Sequence, residues 1–240
     1  MTATHKLPRL YIKNNNADDK TVSLDKDHAH YLMTVMRLQS GDEVRIFNEN
    51  GEWRARLEGH KKAATLHILE KLRAAENRNT LITLAFTPLR KNRQDWLIEK
   101  AVELGADTFQ PVITQNTQYK WDKPDRVMRQ IIEATEQCER MRPPALKTAQ
   151  TLESFISSAA APIYTALERQ SGVPSLPEAL SDHQAGQPLV FLIGPEGGFT
   201  APEVKLLEEK TVAYTLGDTI LRSETAALKS LALADEILPR

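Results

Sequence analysis

The sequence predicts an α/β chain in two parts, a small N-terminal β-barrel followed by a larger domain of parallel strands covered by helices. Three observations carry this. Up to about Arg73 the chain reads as short strands with tight turns and one helix. Residues 73–79 then form a polar run without periodicity, read as a linker over 74–79. From Thr80 onward apolar strands alternate with helices, the order expected of a parallel sheet. The predicted domains are therefore 1–73 and 80–240.

In the first part, residues 10–12 form a short strand behind Pro8. A helix from Asp25 or Asp27, either able to cap it, runs to Arg37 with Leu32, Val35 and Met36 on one side. Residues 44–47 follow the turn signal Gly41-Asp42. Asn48-Glu49-Asn50-Gly51 reads as a hairpin turn, because Asn-Gly tolerates the positive φ such turns need. Residues 53–57 alternate apolar with charged, as a half-buried strand does, and residues 65–69 repeat the pattern.

In the second part, strands are expected at 81–86, 108–113, 163–167, 189–193 and 213–216. Residues 189–193 are continuously apolar, which suits a strand buried on both faces. Helices are expected at 94–104, where Gly105 follows in the usual terminating position, and at 125–140, with Val127, Ile131, Ala134 and Cys138 on one face and Pro143-Pro144 beyond. A further helix spans 202–209 with Pro202 in its first turn, and Ser223 caps a last one reaching Leu238. Residues 170–187 read as an exposed connection holding one short helix.

Composition limits what the chain can do. Its 240 residues are 41% hydrophobic and 26% charged, ordinary for a globular protein, and no stretch approaches the ~20 apolar residues of a membrane span. The first nine residues lack the apolar core of a signal peptide, and Cys138 is the only cysteine, which excludes an intrachain disulfide and a multi-cysteine metal site. A cytoplasmic protein without a multi-cysteine metal site fits these facts. The net charge of -1 makes the whole chain no electrostatic adhesive for nucleic acid. Residues 1–73 nevertheless carry 13 Lys/Arg against 10 Asp/Glu, which permits a local basic face there.

Two segments carry chemistry. In Phe191-Leu192-Ile193-Gly194-Pro195-Glu196-Gly197-Gly198-Phe199 a buried strand enters a glycine-rich turn and then a helix. Ligands of open α/β sheets lie beyond the carboxyl ends of strands, and Gly197-Gly198 lets backbone amides approach one closely. The turn lacks the spacing of a dinucleotide fingerprint, and Pro195 removes an amide donor. In Leu216-Gly217-Asp218-Thr219-Ile220-Leu221-Arg222-Ser223-Glu224-Thr225-Ala226-Ala227 another strand ends in glycine before a helix. Arg222 can reach out of that loop, or pair at the surface with Glu224.

Together these segments resemble the signature of the bacterial 16S ribosomal RNA uridine N3-methyltransferases, a family of the knotted SPOUT superfamily. Leu97-Ile98-Glu99-Lys100-Ala101-Val102-Glu103-Leu104-Gly105-Ala106 resembles the family's helix, and Glu136-Gln137-Cys138-Glu139-Arg140 with Pro143 resembles its Glu-Gln-x-x-Arg segment. His30-Tyr31 through Val35-Met36-Arg37, then Gly41-Asp42, resembles its first helix and turn. The likeness runs in order over nearly the whole chain. It departs at Thr219, where the family commonly has Arg, at Asp218 in place of a frequent Pro, and at Arg90-Lys91-Asn92-Arg93, which is more basic and lacks a common Gly.

The resemblance implies a PUA-like barrel that binds RNA and an α/β domain with a deep trefoil knot that binds S-adenosylmethionine. It further implies a homodimer paired through the knotted domains, acting on 16S ribosomal RNA within the small ribosomal subunit. The final helix, with Ala226, Ala227, Leu228, Leu231, Ala234, Ile237 and Leu238, carries apolar surface for that pairing or for covering its own sheet. Carried over residue by residue, the cofactor positions are Thr165, Leu167, Leu192, Gly194, Pro195, Glu196, Gly197, Leu216, Gly217, Ile220, Leu221, Thr225 and Ala226. The strand ends after Leu167, Ile193 and Leu216 would converge there if their strands are neighbours.

Arg222 is the candidate catalytic residue, stabilising charge on a uracil ring, against an RNA-phosphate contact or an ion pair. Glu196 is a general base or, the favoured reading, an acceptor for loop amides, while Glu224 suits the helix dipole. Arg9, Arg37, Arg90 and Arg93 are the candidate RNA contacts; His30 is expected half-buried on its helix and Cys138 in the core. Three functions remain: uridine N3 methylation, methylation of a ribose 2′-hydroxyl, and RNA binding without catalysis. The intact glycine and Leu-Arg-Ser-Glu-Thr-Ala loops argue against the last.

Overall fold

The computed structural model describes residues 4–13, 20–75, 80–167 and 172–238. The chain divides into two compact units, residues 1–77 with 135–142, and residues 78–134 with 143–240. The second stretch of the first unit departs from the expected linear boundary near residue 73. Its cause is Arg9, whose Nη2 donates to Arg140 O at 2.9 Å and Nη1 to Thr135 O at 3.1 Å.

The first unit is a five-stranded sheet in the order β1-β3-β4-β5-β2. Its strands are β1 (Arg9–Tyr11), β2 (Thr21–Ser23), β3 (Glu43–Asn48), β4 (Gly51–His60) and β5 (Ala63–Ala74). β3 and β4 form the hairpin expected at Asn48-Glu49-Asn50-Gly51, with Asn48 opposite Gly51. The alternation over residues 53–57 has its expected meaning, since Trp53, Ala55 and Leu57 are buried and join Leu32, Val44, Ile46 and Leu66 in one core. β5 continues through Arg73 and Ala74, where a linker was expected, and linker residues 76–79 lie outside the described residues. β2 has three residues and only Val22 buried, too short for a periodic signal.

Asp25 caps α1 (Lys26–His30), its carboxylate accepting from His28 N at 2.8 Å. The expected helix to Arg37 loosens into a π-helical turn at Tyr31–Val35 and stops because Arg37 is left-handed, at φ 60°. His30 is exposed rather than half-buried.

In the second unit the parallel order is β12-β10-β11-β6-β7-β8, with β9 also on β7. These strands are β6 (Ile82–Phe86), β7 (Thr108–Ile113), β8 (Ala145–Leu146), β9 (Gln150–Thr151), β10 (Ile163–Ala166), β11 (Leu189–Ile193) and β12 (Val212–Tyr214). All five residues of central β11 are buried, as its unbroken apolar run required. The helices are α2 (Lys91–Glu103), α3 (Pro124–Gln137), α4 (Leu152–Ser158), α5 (Leu176–Ala179), α6 (Ala201–Lys210) and α7 (Ser223–Ile237).

α2 begins three residues before the expected Gln94, because the polar turn Lys91-Asn92-Arg93 hides the start of its apolar period. α3 stops short of Arg140, where Glu139 turns left-handed at φ 59°, and Cys138 beyond the helix is half-buried rather than core. α7 packs on α2 and β11 and buries Ala226, Ala227, Leu231 and Ala234. Most of its apolar stripe therefore covers its own sheet rather than waiting for a partner. Among the described residues no helix is long and apolar enough to cross a membrane.

Candidate active site

β10 pairs with both β11 and β12, so the carboxyl ends of three adjacent parallel strands open side by side. A cavity of about 320 Å³ lies beyond them, lined by Ala166 and Leu167, by 193–199, by 214–217, and by Thr219, Leu221, Ser223 and Ala226, with Val204 behind. Its walls combine aliphatic side chains, Phe199 and Tyr214, glycine-rich backbone, and the polar side chains of Glu196, Thr215, Thr219 and Ser223, and no Lys or Arg lines it.

The glycine-rich loop after β11 is fixed from several directions. A Cβ on Gly194 would stand 2.7 Å from the Phe199 ring, so only glycine lets that ring close over the strand end. Ser223 Oγ donates to Gly194 O at 2.8 Å, tying the loop to the start of α7. Asn116 Nδ2, in the connection after β7, donates to Gly198 O at 2.9 Å and to Gly197 O at 3.4 Å. Glu203, itself buried, accepts from Thr200 N and from Gln115 N, each at 2.8 Å, so one carboxylate caps α6 and holds the β7 connection. Arg93 lies 3.5 Å from Glu196 and 3.7 Å from Glu224. Sequence reasoning missed Asn116 and Glu203, of which only Glu203 had a signal, the capping box Thr200-x-x-Glu203. Phe199 and Ser223 lay in the two segments singled out but without these parts, and Ser223, expected as the cap of the last helix, is its first residue, the N-cap being Arg222.

Of the expected cofactor positions, Leu167, Gly194, Pro195, Glu196, Gly197, Leu216, Gly217, Leu221 and Ala226 line the cavity. Gly217 stands at φ +115°, a conformation that favours glycine. Thr165 and Leu192 do not line it. They are register partners inside the sheet, one residue short of the strand ends, and both are fully buried. Thr165 Oγ1 is turned away and donates to Thr211 Oγ1 at 2.9 Å. Ile220 is 57% exposed between two lining residues, and Thr225 is exposed on α7 beside the lining Ala226.

Arg222 is exposed at the N-cap of α7, between the lining residues Leu221 and Ser223. Its expected alternative partner is taken, since Glu224 pairs with Arg93. Among the described residues the Arg222 side chain has no hydrogen-bond or ion-pair partner. Tyr214 lines the cavity floor, and burial pushes its phenol well above the usual value, so it stays protonated at neutral pH and is no base. Its hydroxyl lies 2.7 Å from Ser230 Oγ.

The candidate RNA residues separate clearly. Arg37 and Arg90 are exposed, and Arg93 is engaged by the two glutamates. Arg9 departs from expectation. It is buried, paired with Glu52 at 3.2 Å and stacked 3.5 Å over the Phe47 ring, so no face of it is free for RNA.

The geometry has relatives. A family model described as an RNA methyltransferase domain matches residues 76–235, and one described as an RNA methyltransferase PUA domain matches residues 24–69. The chain is 32% identical to ribosomal RNA small subunit methyltransferase E of Rickettsia conorii, covering 95% of this chain and 94% of the relative. A methyltransferase from Legionella pneumophila, solved with bound S-adenosylmethionine, superposes with a TM-score of 0.85 at 26% identity over 96% of this chain and 98% of its own. The ribosomal RNA small subunit methyltransferase E of Neisseria gonorrhoeae, bound to S-adenosyl methionine, gives 0.84 at 27% identity over 97% and 98%.

Proposed function

Since the chain belongs to the RNA methyltransferase family, we propose that it moves a methyl group from S-adenosylmethionine to N3 of a uridine in 16S ribosomal RNA. The observation that carries this is the cavity beyond β10, β11 and β12, with one unengaged arginine at its rim. Its volume, about 320 Å³, and its backbone-rich walls of mixed polarity fit a small ligand held by shape and main-chain contacts. Leu167, the 194–197 turn, Leu216, Gly217, Leu221 and Ala226 would hold the cofactor. Thr165 and Leu192 would act only by fixing the strand ends beneath it.

When bound, S-adenosylmethionine supplies an activated methyl on a sulfonium. The chain's own residues do the rest. The loops would align the acceptor, and Arg222 would place two donors toward the uracil edge, where negative charge spreads onto carbonyl oxygens as the N3 proton passes to solvent water and the methyl takes its place, the cofactor departing as a neutral thioether. Thr219 lines the cavity where the resemblance expects an arginine, and of the cations beside the loops Arg93 pairs with Glu196 and Lys229 bonds Leu216 O, which leaves Arg222 as the unengaged one for that task. Glu196 is paired with Arg93, which supports a loop-holding part rather than that of a general base.

RNA would be held through exposed Arg37 in the first unit and exposed Arg90 in the second, with Arg93 holding the loop instead. Threading of the second unit as a trefoil knot is what the family resemblance implies and rests on it alone. Exposed Ile220 at the cavity rim supports a homodimer, as apolar surface that a second copy would cover. The protein would act in the cytoplasm, on RNA of the small ribosomal subunit.

The test is mass analysis of nucleosides from small-subunit RNA treated with the protein and S-adenosylmethionine. N3-methyluridine is expected. A 2′-O-methyl product moves the acceptor to the ribose, and no methylated product at all leaves an RNA-binding protein without catalysis.

A further inference from the structure

A second cavity, of about 300 Å³, lies in the second unit between the first turn of α2 and the connection that leads from β7 into α3. Leu89 and Val127 are buried at its base, and Tyr119 and Trp121 stand in its wall, Trp121 edge-on to Phe86 with centroids 5.9 Å apart. Its rim carries Lys91, Lys120, Lys123 and Arg126 against the single carboxylate of Asp122. Arg126 is engaged by Asp95 at 2.7 Å. Among the described residues the other three cations have no hydrogen-bond or ion-pair partner. The first cavity, by contrast, has no lysine or arginine in its lining.

Three exposed ammonium groups without ion-pair partners beside two aromatic side chains give the cleft a locally positive rim and a flat apolar surface. A ligand with phosphates and a flat ring matches both, because lysines contact phosphates as point charges and bases stack on aromatic faces. We propose that this cleft is a binding site for a single-stranded RNA nucleotide adjoining the one that reacts, with its base against Tyr119 and its phosphates on Lys91, Lys120 and Lys123.

The chain links the cleft to the first cavity. Asn116, three residues before Tyr119, bonds the glycine-rich loop through Gly197 O and Gly198 O. Arg93, two residues after Lys91, pairs with Glu196 of the same loop. Both walls of the cleft are thus continuous with residues that touch the cofactor loop, as a strand passing from one site to the next requires. The inference rests on the proposed RNA methyltransferase activity and adds to it where the flanking strand binds.

The experiment measures equilibrium binding of a short fluorescein-labelled oligouridylate to the full chain over a range of salt. Tyr119→Ala is expected to weaken binding about tenfold, and Tyr119→Phe, which keeps the ring, to restore most of it. Lys120→Gln with Lys123→Gln should lower the slope of log affinity against log salt by about 1.4, since each single-strand phosphate contact contributes about 0.7. S-adenosylmethionine affinity and melting temperature serve as controls and should not move. Wild-type affinity and slope in these variants would overturn the cleft. Loss with the lysine variant but not with Tyr119→Ala would reduce it to an anion site, and equal displacement by free uridine monophosphate would make it a mononucleotide pocket; either overturns a strand site. If the unaltered protein methylates RNA while the variants bind normally, only the cleft falls. If the unaltered protein neither binds nor methylates RNA, the functional reading falls and the cleft with it.

Discussion

Gly194→Ala tests the cavity through a single methyl group. The new Cβ would lie 2.7 Å from Phe199 Cε2 and 2.8 Å from Cζ, against 3.4 Å or more for ordinary contact, so the ring must retreat by roughly 0.7 Å. On its other side Phe199 packs against the cluster containing Ala85, Val112, Leu152 and Leu192, which does not yield easily. The open direction is the cavity, whose lining includes Phe199. Overpacking of this kind costs about 1–3 kcal/mol. Borne by the ligand-bound state, that is a loss of about 5-fold to 150-fold in S-adenosylmethionine affinity by titration calorimetry. Two neighbours calibrate the result. At Gly197 a Cβ would come only to 3.3 Å from Asn116 Cβ, a contact a few tenths of an ångström relieves, so Gly197→Ala should cost less. At Gly198 there is open space but φ is +72°, so Gly198→Ala should cost about 1–2 kcal/mol of backbone strain, read mainly as a lower melting temperature. Wild-type affinity in Gly194→Ala, with the protein folded, would refute the assignment of this cavity to the cofactor. A larger loss at Gly197 than at Gly194 would refute the steric argument.

The other outcomes follow from separate parts of the molecule. Arg222→Lys keeps the charge and loses the two-donor fork, so the single-turnover rate on small-subunit RNA should fall by up to about 10²–10³ with cofactor affinity intact; a wild-type rate removes the arginine from the chemistry. In the first unit, the hydrogen bond from Arg45 holds the Glu139 carboxyl below its ordinary value of 4.5, so its stabilising contribution is present above that pH and is lost as pH falls through the lowered value. Glu139→Gln should therefore be less stable than the wild type at neutral pH, by less than about 1 kcal/mol because the carboxylate is nearly half exposed, and the gap should shrink as the pH is taken progressively below 4.5; a gap that does not narrow in acid contradicts the linkage. Sedimentation at micromolar concentration should give a dimer, and Ile220→Lys should shift it toward a monomer near 27.0 kDa; a wild-type monomer ends the dimer reading.

What the sequence made legible was whatever repeats or is chemically unusual. Residues 189–193 announced a strand buried on both faces, and all five are buried. The glycine turn and the Leu-Arg-Ser-Glu-Thr-Ala segment marked two loops that do meet at one cavity. Short pieces were not legible. β8 and β9 have two residues each, and α4 has seven, too few for periodicity to rise above chance. Nor was the difference between lining a site and standing behind it. Thr165 and Leu192 sit in the right strands, but the cavity begins one residue later, at Ala166 and Ile193, and only the register across β10 and β11 decides that. Asn116 was invisible for a related reason, because its partners at Gly197 and Gly198 lie 81 and 82 residues away.

Arg9 makes the same point for charge. Taken singly, an arginine near the N-terminus of an RNA-related chain reads as an RNA contact. The fold brings it, together with Arg45 and Arg73, to one carboxylate. Glu52 is fully buried and lies 3.2 Å from Arg9, 3.3 Å from Arg45 and 3.4 Å from Arg73, at sequence separations of 43, 7 and 21 residues. A carboxylate that far from water is tolerated only when paired, and a guanidinium buried beside it needs its remaining donors satisfied. Arg9 meets that demand by donating to the carbonyls of Thr135 and Arg140, which is why residues 135–142 group with the first unit. Burial also lowers the Arg9 pKa while Glu52 opposes the shift, so the ion pair and those carbonyl bonds keep the charge in place. Removing the guanidinium would leave Glu52 with fewer partners in a dry interior, so a loss of RNA binding in Arg9→Ala would report unfolding of the first unit rather than a lost contact. Arg37→Ala is the variant that tests RNA contact in this unit, since Arg37 is exposed, at φ 60° where the helical turn ends, and its removal uncovers no buried charge.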